Sequence, residues 1–258
     1  MASLKGKVVI ITGASAGIGR GIAVHLAPYK PKLVLAARNV AALKETSKQC
    51  QDLGLAKDSI LMVECDISKD DNVKNLVDKA IKTFGSIYGL VNNAGYSTLG
   101  NTEQTDMKDF DGIMRVNFRA VFYLSKLCIP HLKQSKGCVV NISSILARIG
   151  MTGVTPYSIS KAAMDSFTHL LADELGPSGV RVNSVSPGPT KTDFVEKAGM
   201  SEEALAEMTA SNVRATPMGK IAETEDIAKL VKFILSDEAS FITGEIIAVD
   251  GGRGNPKY

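Results

Sequence analysis

Seven short runs of β-branched and aliphatic residues, at 7–11, 32–37, 60–65, 87–91, 138–143, 180–186 and 246–249, alternate with longer segments of helical period. The runs are apolar on consecutive residues, not on alternate ones, which is the pattern of strands buried on both faces. Between them, residues 17–27, 40–53, 70–84, 110–134, 156–175 and 223–236 are each long enough for a helix, and several are opened by Asp, Ser, Thr or Asn. This alternation predicts an α/β fold: a doubly wound, parallel, seven-stranded sheet with helices on both faces. The exception is 187–220, where a Pro-Gly-Pro turn, Gly199 and two short polar or amphipathic helices intervene. An insertion of that length predicts a lid or binding loop.

Sheets of this kind run to about 250 residues as one unit. With 258 residues and no Pro/Gly/Ser linker, the chain reads as a single domain over 1–258. Hydrophobic residues make up 45% and charged residues 22%, enough for a core and too apolar for disorder. Thirty Lys+Arg against 27 Asp+Glu leave +3, without blocks of like charge, so there is no footprint for nucleic acid. Cys50, Cys65, Cys128 and Cys138 are too irregularly spaced for a disulfide framework or a CxxC metal site, which favours a reducing compartment. His25, His131 and His169 have no HExxH or Cys partner, so no metal is expected. The start, MASLKGKVVIITG, lacks signal-peptide form, and no stretch reaches the roughly 18 apolar residues that span a bilayer. A soluble, cytoplasmic protein without a membrane partner is the expectation.

The first run leads into Thr12-Gly13-Ala14-Ser15-Ala16-Gly17-Ile18-Gly19, which opens a helix. Strand, glycine turn and helix in that order cradle a pyrophosphate: glycines allow the tight turn and close backbone approach, and the helix N-terminus supplies positive potential. Gly13, Gly17, Ile18 and Gly19 are the candidate contacts, and Ser15 is a candidate second phosphate contact beside the residue that closes the next strand. The spacing is GxxxGxG, and no GK[ST] follows, so it is not a P-loop. About 20 residues on, where an NAD-binding chain places a carboxylate for the ribose 2′-hydroxyl, this chain has Arg38 and Asn39. A guanidinium there is a bidentate partner for a 2′-phosphate, which favours NADP(H) over NAD(H). Asp66 and Ile67, closing the third strand, are placed to meet the adenine.

Tyr157-Ser158-Ile159-Ser160-Lys161 sets a phenol and an ammonium four residues apart, on one face of a predicted helix. A neighbouring cation favours the phenolate and turns Tyr into a usable acid and base. Ser144, ending the fifth strand, is placed to polarise a carbonyl. Asn93-Ala94-Gly95 forms a small-residue turn after the fourth strand, and Asn117 lies within the next predicted helix.

Together, TGASAGIG, NNAG, Arg115-Val116-Asn117, Ser144, YSISK, Pro187-Gly188 with Thr192, and the closing Val249-Asp250-Gly251-Gly252 resemble the classical short-chain dehydrogenase/reductase family over nearly the whole chain. The resemblance implies a Rossmann-type fold and a catalytic tetrad of Asn117, Ser144, Tyr157 and Lys161. In it Tyr157 exchanges the proton and Ser144 holds the substrate oxygen. Lys161 binds the nicotinamide ribose and depresses the Tyr157 pKa, and Asn117 holds a water of a proton relay. Further cofactor contacts are implied at Asn93, Ala94, Gly95, Pro187, Gly188, Thr190 and Thr192. Ala16 departs from the commoner NADP-binding pattern, which has a basic residue there, so cofactor choice rests mainly on Arg38.

The expected activity is NADP(H)-dependent interconversion of a ketone or aldehyde and its alcohol. An idle dinucleotide-binding protein is the alternative from another class. Tyr96, Ile145, Leu146, Met151, Phe194 and parts of 195–218 are expected to line an apolar pocket for a lipid-like, steroid-like or terpenoid substrate. Arg148 instead favours an anionic one, such as a carrier-bound 3-oxoacyl chain. The resemblance also implies a homotetramer, with the helices at 110–134 and 156–175 as interface.

Overall fold

The computed structural model describes residues 4–192, 194 and 201–255. Its seven strands are β1 (Val8–Thr12), β2 (Lys32–Ala37), β3 (Ile60–Glu64), β4 (Gly89–Asn92), β5 (Cys138–Ile142), β6 (Arg181–Pro187) and β7 (Ile246–Val249). They pair in the order β3-β2-β1-β4-β5-β6-β7, every pair parallel. The expected doubly wound sheet is thus present.

Consecutive apolar residues are needed because each strand feeds two cores. Val9, Ile11, Leu33, Leu35, Val91 and Val140 face one cluster, while Val8, Ile10, Val34, Ala36, Leu90 and Val139 face the other. The first core is closed by α1 (Gly17–Leu26), α2 (Val40–Asp52) and α8 (Thr224–Leu235), through Ile22, Leu43 and Val231. The second is closed by α3 (Asp70–Phe84), α5 (Ala120–Ser135) and α6 (Thr155–Leu175), through Leu76, Leu124 and Leu171. Each such fully buried aliphatic side chain contributes about 1.5–3 kcal/mol. Asp70 and Asp71 open α3, and Glu202 and Glu203 open α7 (Glu202–Ala215), where acidic groups complement the helix dipole.

The segment expected as one helix over 110–134 is three pieces. Asp106 caps α4 (Met107–Met114), a π-helical turn follows at Arg115–Arg119, and α5 continues from Ala120. Buried apolar residues continue on both sides of the turn, Ile113 before it and Ala120, Val121 and Leu124 after it, so the hydrophobic pattern does not mark the break. Of the two short helices expected in 187–220, α7 lies in the described residues; residues 195–200 lie outside them.

The order of strands reverses between β1 and β4. In open α/β sheets such a switch point leaves a crevice beyond the carboxyl ends of the strands.

Candidate active site

A cleft of about 2080 Å³ runs along that edge. It brings together the candidate cofactor and catalytic residues named from the sequence except Gly19 and Asn117, which are buried. Gly13 and Gly17 have φ of +66° and +51°, the left-handed region open to glycine at little cost. A Cβ on Gly13 would lie 2.8 Å from Asn93 Nδ2, and one on Gly19 only 2.3 Å from the Gly13 carbonyl oxygen. Residue size here is set by a backbone-to-backbone approach.

Residues that sequence reasoning did not single out hold this turn. The Thr12 hydroxyl accepts from the N–H groups of Asn93 (3.0 Å) and Ala94 (3.1 Å), and Asn93 Nδ2 donates to the Thr12 carbonyl (2.9 Å), clipping the β1 turn to the β4 turn. Arg20 donates from Nη2 to the Ser15 carbonyl (2.5 Å) and from Nε to Thr46 Oγ1 (3.2 Å), while Thr46 Oγ1 donates to the Ala14 carbonyl (2.9 Å). Glycine patterns advertise the turn, but nothing in a linear sequence pairs Arg20 with Thr46.

At the adenosine end Arg38 stands exposed at the close of β2, and Asn39 Oδ1 caps α2 by accepting from Ala42 N–H (3.0 Å). Asp66 lies two residues beyond β3, not in it. Its carboxylate accepts from Ser68 N–H (3.1 Å) and Oγ (2.7 Å). Burial works to raise the Asp66 carboxyl, but the Ser68 hydrogen bonds and the charges of Arg38 and Lys69 outweigh it and hold it below the usual range. Thr190 Oγ1 donates to the Gly188 carbonyl (2.9 Å), and the Thr192 methyl lies 3.3 Å from the Cβ position of Gly17, closing the loop after β6 over the turn. These glycine-framed surfaces, with a cation at one end, fit a dinucleotide.

At the other end Ser144, Tyr157 and Lys161 converge from β5 and α6. The Tyr157 ring packs against Phe194, centroids 5.7 Å apart, and the Lys161 Nζ sits 5.6 Å from the Tyr157 ring centroid. Lys161 Nζ donates to the Ile142 carbonyl (2.7 Å). Burial pushes the Tyr157 phenol up to about 12, against a hydrogen bond from Ser144 that favours ionisation. Burial also draws the Lys161 ammonium down to about 8, with the Asp165 carboxylate opposing. Asp165 is one helical turn past Lys161 and accepts from Ser184 Oγ (3.3 Å).

Asn117 sits in the π turn, fully buried, with both amide ends engaged. Its Oδ1 accepts from Tyr96 N–H (3.0 Å), and its Nδ2 donates to the Tyr96 carbonyl (2.9 Å) and to Ser160 Oγ (3.1 Å). The side chain thus ties the β4 loop to α6, and any water on the implied relay competes for the one remaining lone pair of Oδ1.

Of the expected pocket residues, Tyr96, Ile145, Leu146, Met151 and Phe194 line the cleft, joined by Leu205 and Met208 of α7. Met218 does not. Arg148 also lies outside the cleft wall and lines a separate cavity of about 260 Å³. Burial raises all four cysteine thiols, Cys50 and Cys128 to about 12 and Cys65 and Cys138 to about 11, so they remain protonated at neutral pH. Among the described residues no cluster of three or more His, Cys, Asp or Glu is placed to hold a metal, and no helix is long and apolar enough to cross a membrane.

This arrangement defines a dinucleotide-binding oxidoreductase, and comparison with known proteins agrees. The family described as enoyl-(acyl carrier protein) reductase matches residues 13–253. An uncharacterized oxidoreductase of Thermotoga maritima is 38% identical over 255 residues, covering 97% of this chain and 98% of the relative. A short-chain dehydrogenase/reductase of unknown function from Caenorhabditis elegans, solved with cofactor, superposes with a TM-score of 0.93 at 33% identity, over 97% of this chain and 96% of that one. A 3-ketoacyl-(acyl-carrier-protein) reductase from Brucella melitensis, solved with NADH, gives 0.87 at 32% identity, over 98% and 100%. The chain belongs to the short-chain dehydrogenase/reductase family. It is an oxidoreductase of that family, whose members bind a nicotinamide cofactor.

Because Lys161 is charged below its pKa near 8 and Tyr157 stays protonated, turnover that uses Tyr157 as the proton donor is expected to show a level kcat/KM below about pH 8. Above that it should fall about tenfold per unit as the ammonium is lost. Asp165→Asn removes the charge that opposes this loss, so the break should move to lower pH. A pH–rate profile of both proteins checks it; an unmoved break would show that Asp165 does not act on Lys161.

Proposed function

We propose that this protein reduces a ketone or aldehyde to its alcohol with NADPH, and catalyses the reverse with NADP. The observation that carries this reading is the convergence of Ser144, Tyr157 and Lys161 in the same cleft as the glycine turn and Arg38. When bound, the nicotinamide supplies or receives the hydride. The Ser144 hydroxyl donates a hydrogen bond to the substrate oxygen and polarises the carbonyl. Tyr157 Oη delivers the proton to that oxygen as carbon is reduced. The Lys161 ammonium stabilises the phenolate left behind, and Asn117 holds Tyr96 and α6 in register around them. Arg38 would take the 2′-phosphate, with Gly13, Ser15, Gly17, Ile18 and Gly19 at the pyrophosphate and Asn93, Ala94, Gly95, Pro187, Gly188, Thr190 and Thr192 toward the nicotinamide.

The apolar wall of Leu146, Met151, Phe194, Leu205 and Met208 supports a substrate with a hydrocarbon body. The exposed Phe122 of α5 and Leu170 of α6 support a homotetramer assembled through those helices.

The test is fluorescence titration of NADPH and NADH into the wild type and Arg38→Ala. NADPH is expected to bind at least about tenfold tighter, a margin of about 1.4 kcal/mol, which the substitution removes. Equal binding of NADH would make Arg38 a surface residue and leave an NAD-dependent alcohol dehydrogenase.

A further inference from the structure

Among the described residues, Asp66 is the only acidic residue lining the cleft, against Arg20, Arg38, Arg115, Lys161, Lys191 and Arg253. Most of these cations are accounted for. Arg20 is bound to Ser15 and Thr46, Lys161 to the Ile142 carbonyl and Lys191 to Glu223, while Arg38 and Arg115 stand in the fields of Asp66 and Asp70 at the adenosine end. Arg253 is the exception. It lies at the substrate end, half-buried, and among the described residues its guanidinium has neither an ion pair nor a hydrogen-bond partner.

The backbone that carries it is firmly held. Asp250 accepts with its two carboxylate oxygens from Gly252 N–H (2.9 Å) and Gly254 N–H (2.8 Å), which ties it to the turn, and it makes no ion pair with Arg253. Arg253 N–H donates to the Asp250 carbonyl (3.1 Å), and Met218 N–H donates to the Gly251 carbonyl (3.2 Å). Three glycines let this turn wedge into the wall of the site. A Cβ on Gly254 would lie 3.6 Å from that of Ile145, the neighbour of Ser144. A Cβ on Gly188 would lie 2.7 Å from that of Asp250, and one on Gly251 would lie 2.7 Å from the Thr216 methyl. The turn therefore bridges the Ser144 loop, the end of β6 and the end of α7. Asn255 and Asn212 line the same cleft, and Thr216, one helical turn past Asn212, packs on Gly251.

An arginine carried on a held turn, unpaired among the described residues and set in the same cleft as Leu146, Met151, Leu205 and Met208, offers a planar guanidinium that matches the geometry of a carboxylate. We propose that Arg253 anchors a carboxylate on the substrate, at the end remote from the reacting carbonyl, so that the preferred substrates are oxo-acids with a hydrocarbon body between the two groups. The inference takes its carbonyl chemistry from the function proposed above. Arg148, the cation that the sequence offered for an anionic substrate, lies outside this wall.

The experiment uses a series of linear and cyclic oxo-carboxylates, each paired with its methyl ester, and the wild type beside Arg253→Met and Arg253→Gln. With saturating NADPH the acids are expected to exceed their esters about 30-fold in kcat/KM. In both variants that preference should collapse while ester turnover is unchanged. Equal turnover of acids and esters by the wild type would overturn the anchor and leave the oxidoreductase reading standing. Isothermal titration of the same carboxylates into the enzyme is the second readout. If no carbonyl in the series is turned over, the proposed function fails, and the titration decides the anchor alone. Carboxylate binding lost in both variants upholds it, and binding equal to wild type overturns it.

Discussion

Tyr157→Phe is expected to lower kcat for carbonyl reduction by about 10²–10⁴-fold while leaving the affinity for reduced cofactor within about twofold. The change removes one oxygen and nothing else. The ring keeps its packing on Phe194, and Lys161 keeps its hydrogen bond to the Ile142 carbonyl, so the cleft should retain its shape. What is lost is the one acidic proton aimed at the substrate oxygen. Burial holds that phenol near 12, which suits a donor in the reductive direction, since the proton is in place at neutral pH. For oxidation the same value is a handicap that Lys161 must offset when the site is filled. Steady-state kinetics with a reactive carbonyl, beside a fluorescence titration of NADPH, separates the two effects. Retention of more than a tenth of wild-type turnover would move the proton donor to another group, and Ser144 would be the next to replace.

How much of this was legible beforehand follows from what each feature depends on. The sheet was legible because a strand buried on both faces must be apolar at every position, as Val8 to Ile11 are, facing the two cores in turn. The glycine turn and the Tyr157–Lys161 pair were legible because both are local: one is a turn of fixed length, the other a single helical step. The break in the helix around Asn117 was hidden, since apolar residues at helical spacing continue before and after it, from Ile113 to Val121 and Leu124. Its consequence was hidden with it, namely that the Asn117 amide is spent on Tyr96 and Ser160. Arg253 and Arg148 show the limit from the other side. Arg148 is four residues from Ser144 in sequence and was offered as the alternative for that reason, whereas Arg253 is more than a hundred residues away and reaches the cleft wall through the turn at Asp250. Proximity along the chain finds groups on one element; groups delivered by different strand ends become neighbours only once the sheet order is known.

The site is therefore built on contacts between strand ends, and the tightest of them carries the other large expected effect. Gly19→Ala places a methyl group 2.3 Å from the Gly13 carbonyl oxygen and 2.5 Å from Asn93 Nδ2. Neither can retreat freely. The Gly13 carbonyl belongs to the turn itself, and Asn93 Nδ2 is donating to the Thr12 carbonyl, so the methyl must prise the β1 turn from the β4 turn. Overpacking of this kind costs about 1–3 kcal/mol, which in a chain of this size lowers Tm by about 2–6 °C. Cofactor binding should suffer more than folding, because the displaced turn is the surface that meets the pyrophosphate; a loss of about 100-fold in affinity is expected. Gly176→Ala is the matched control. That glycine has φ −51° and nothing within 4 Å of its Cβ position, so alanine there should leave binding untouched and stability unchanged or slightly raised. Thermal unfolding and NADPH titration of the two variants give the comparison. A Gly19→Ala protein that bound cofactor as tightly as Gly176→Ala would show that the turn tolerates displacement and that the close approach of β1 to β4 does not shape the binding surface.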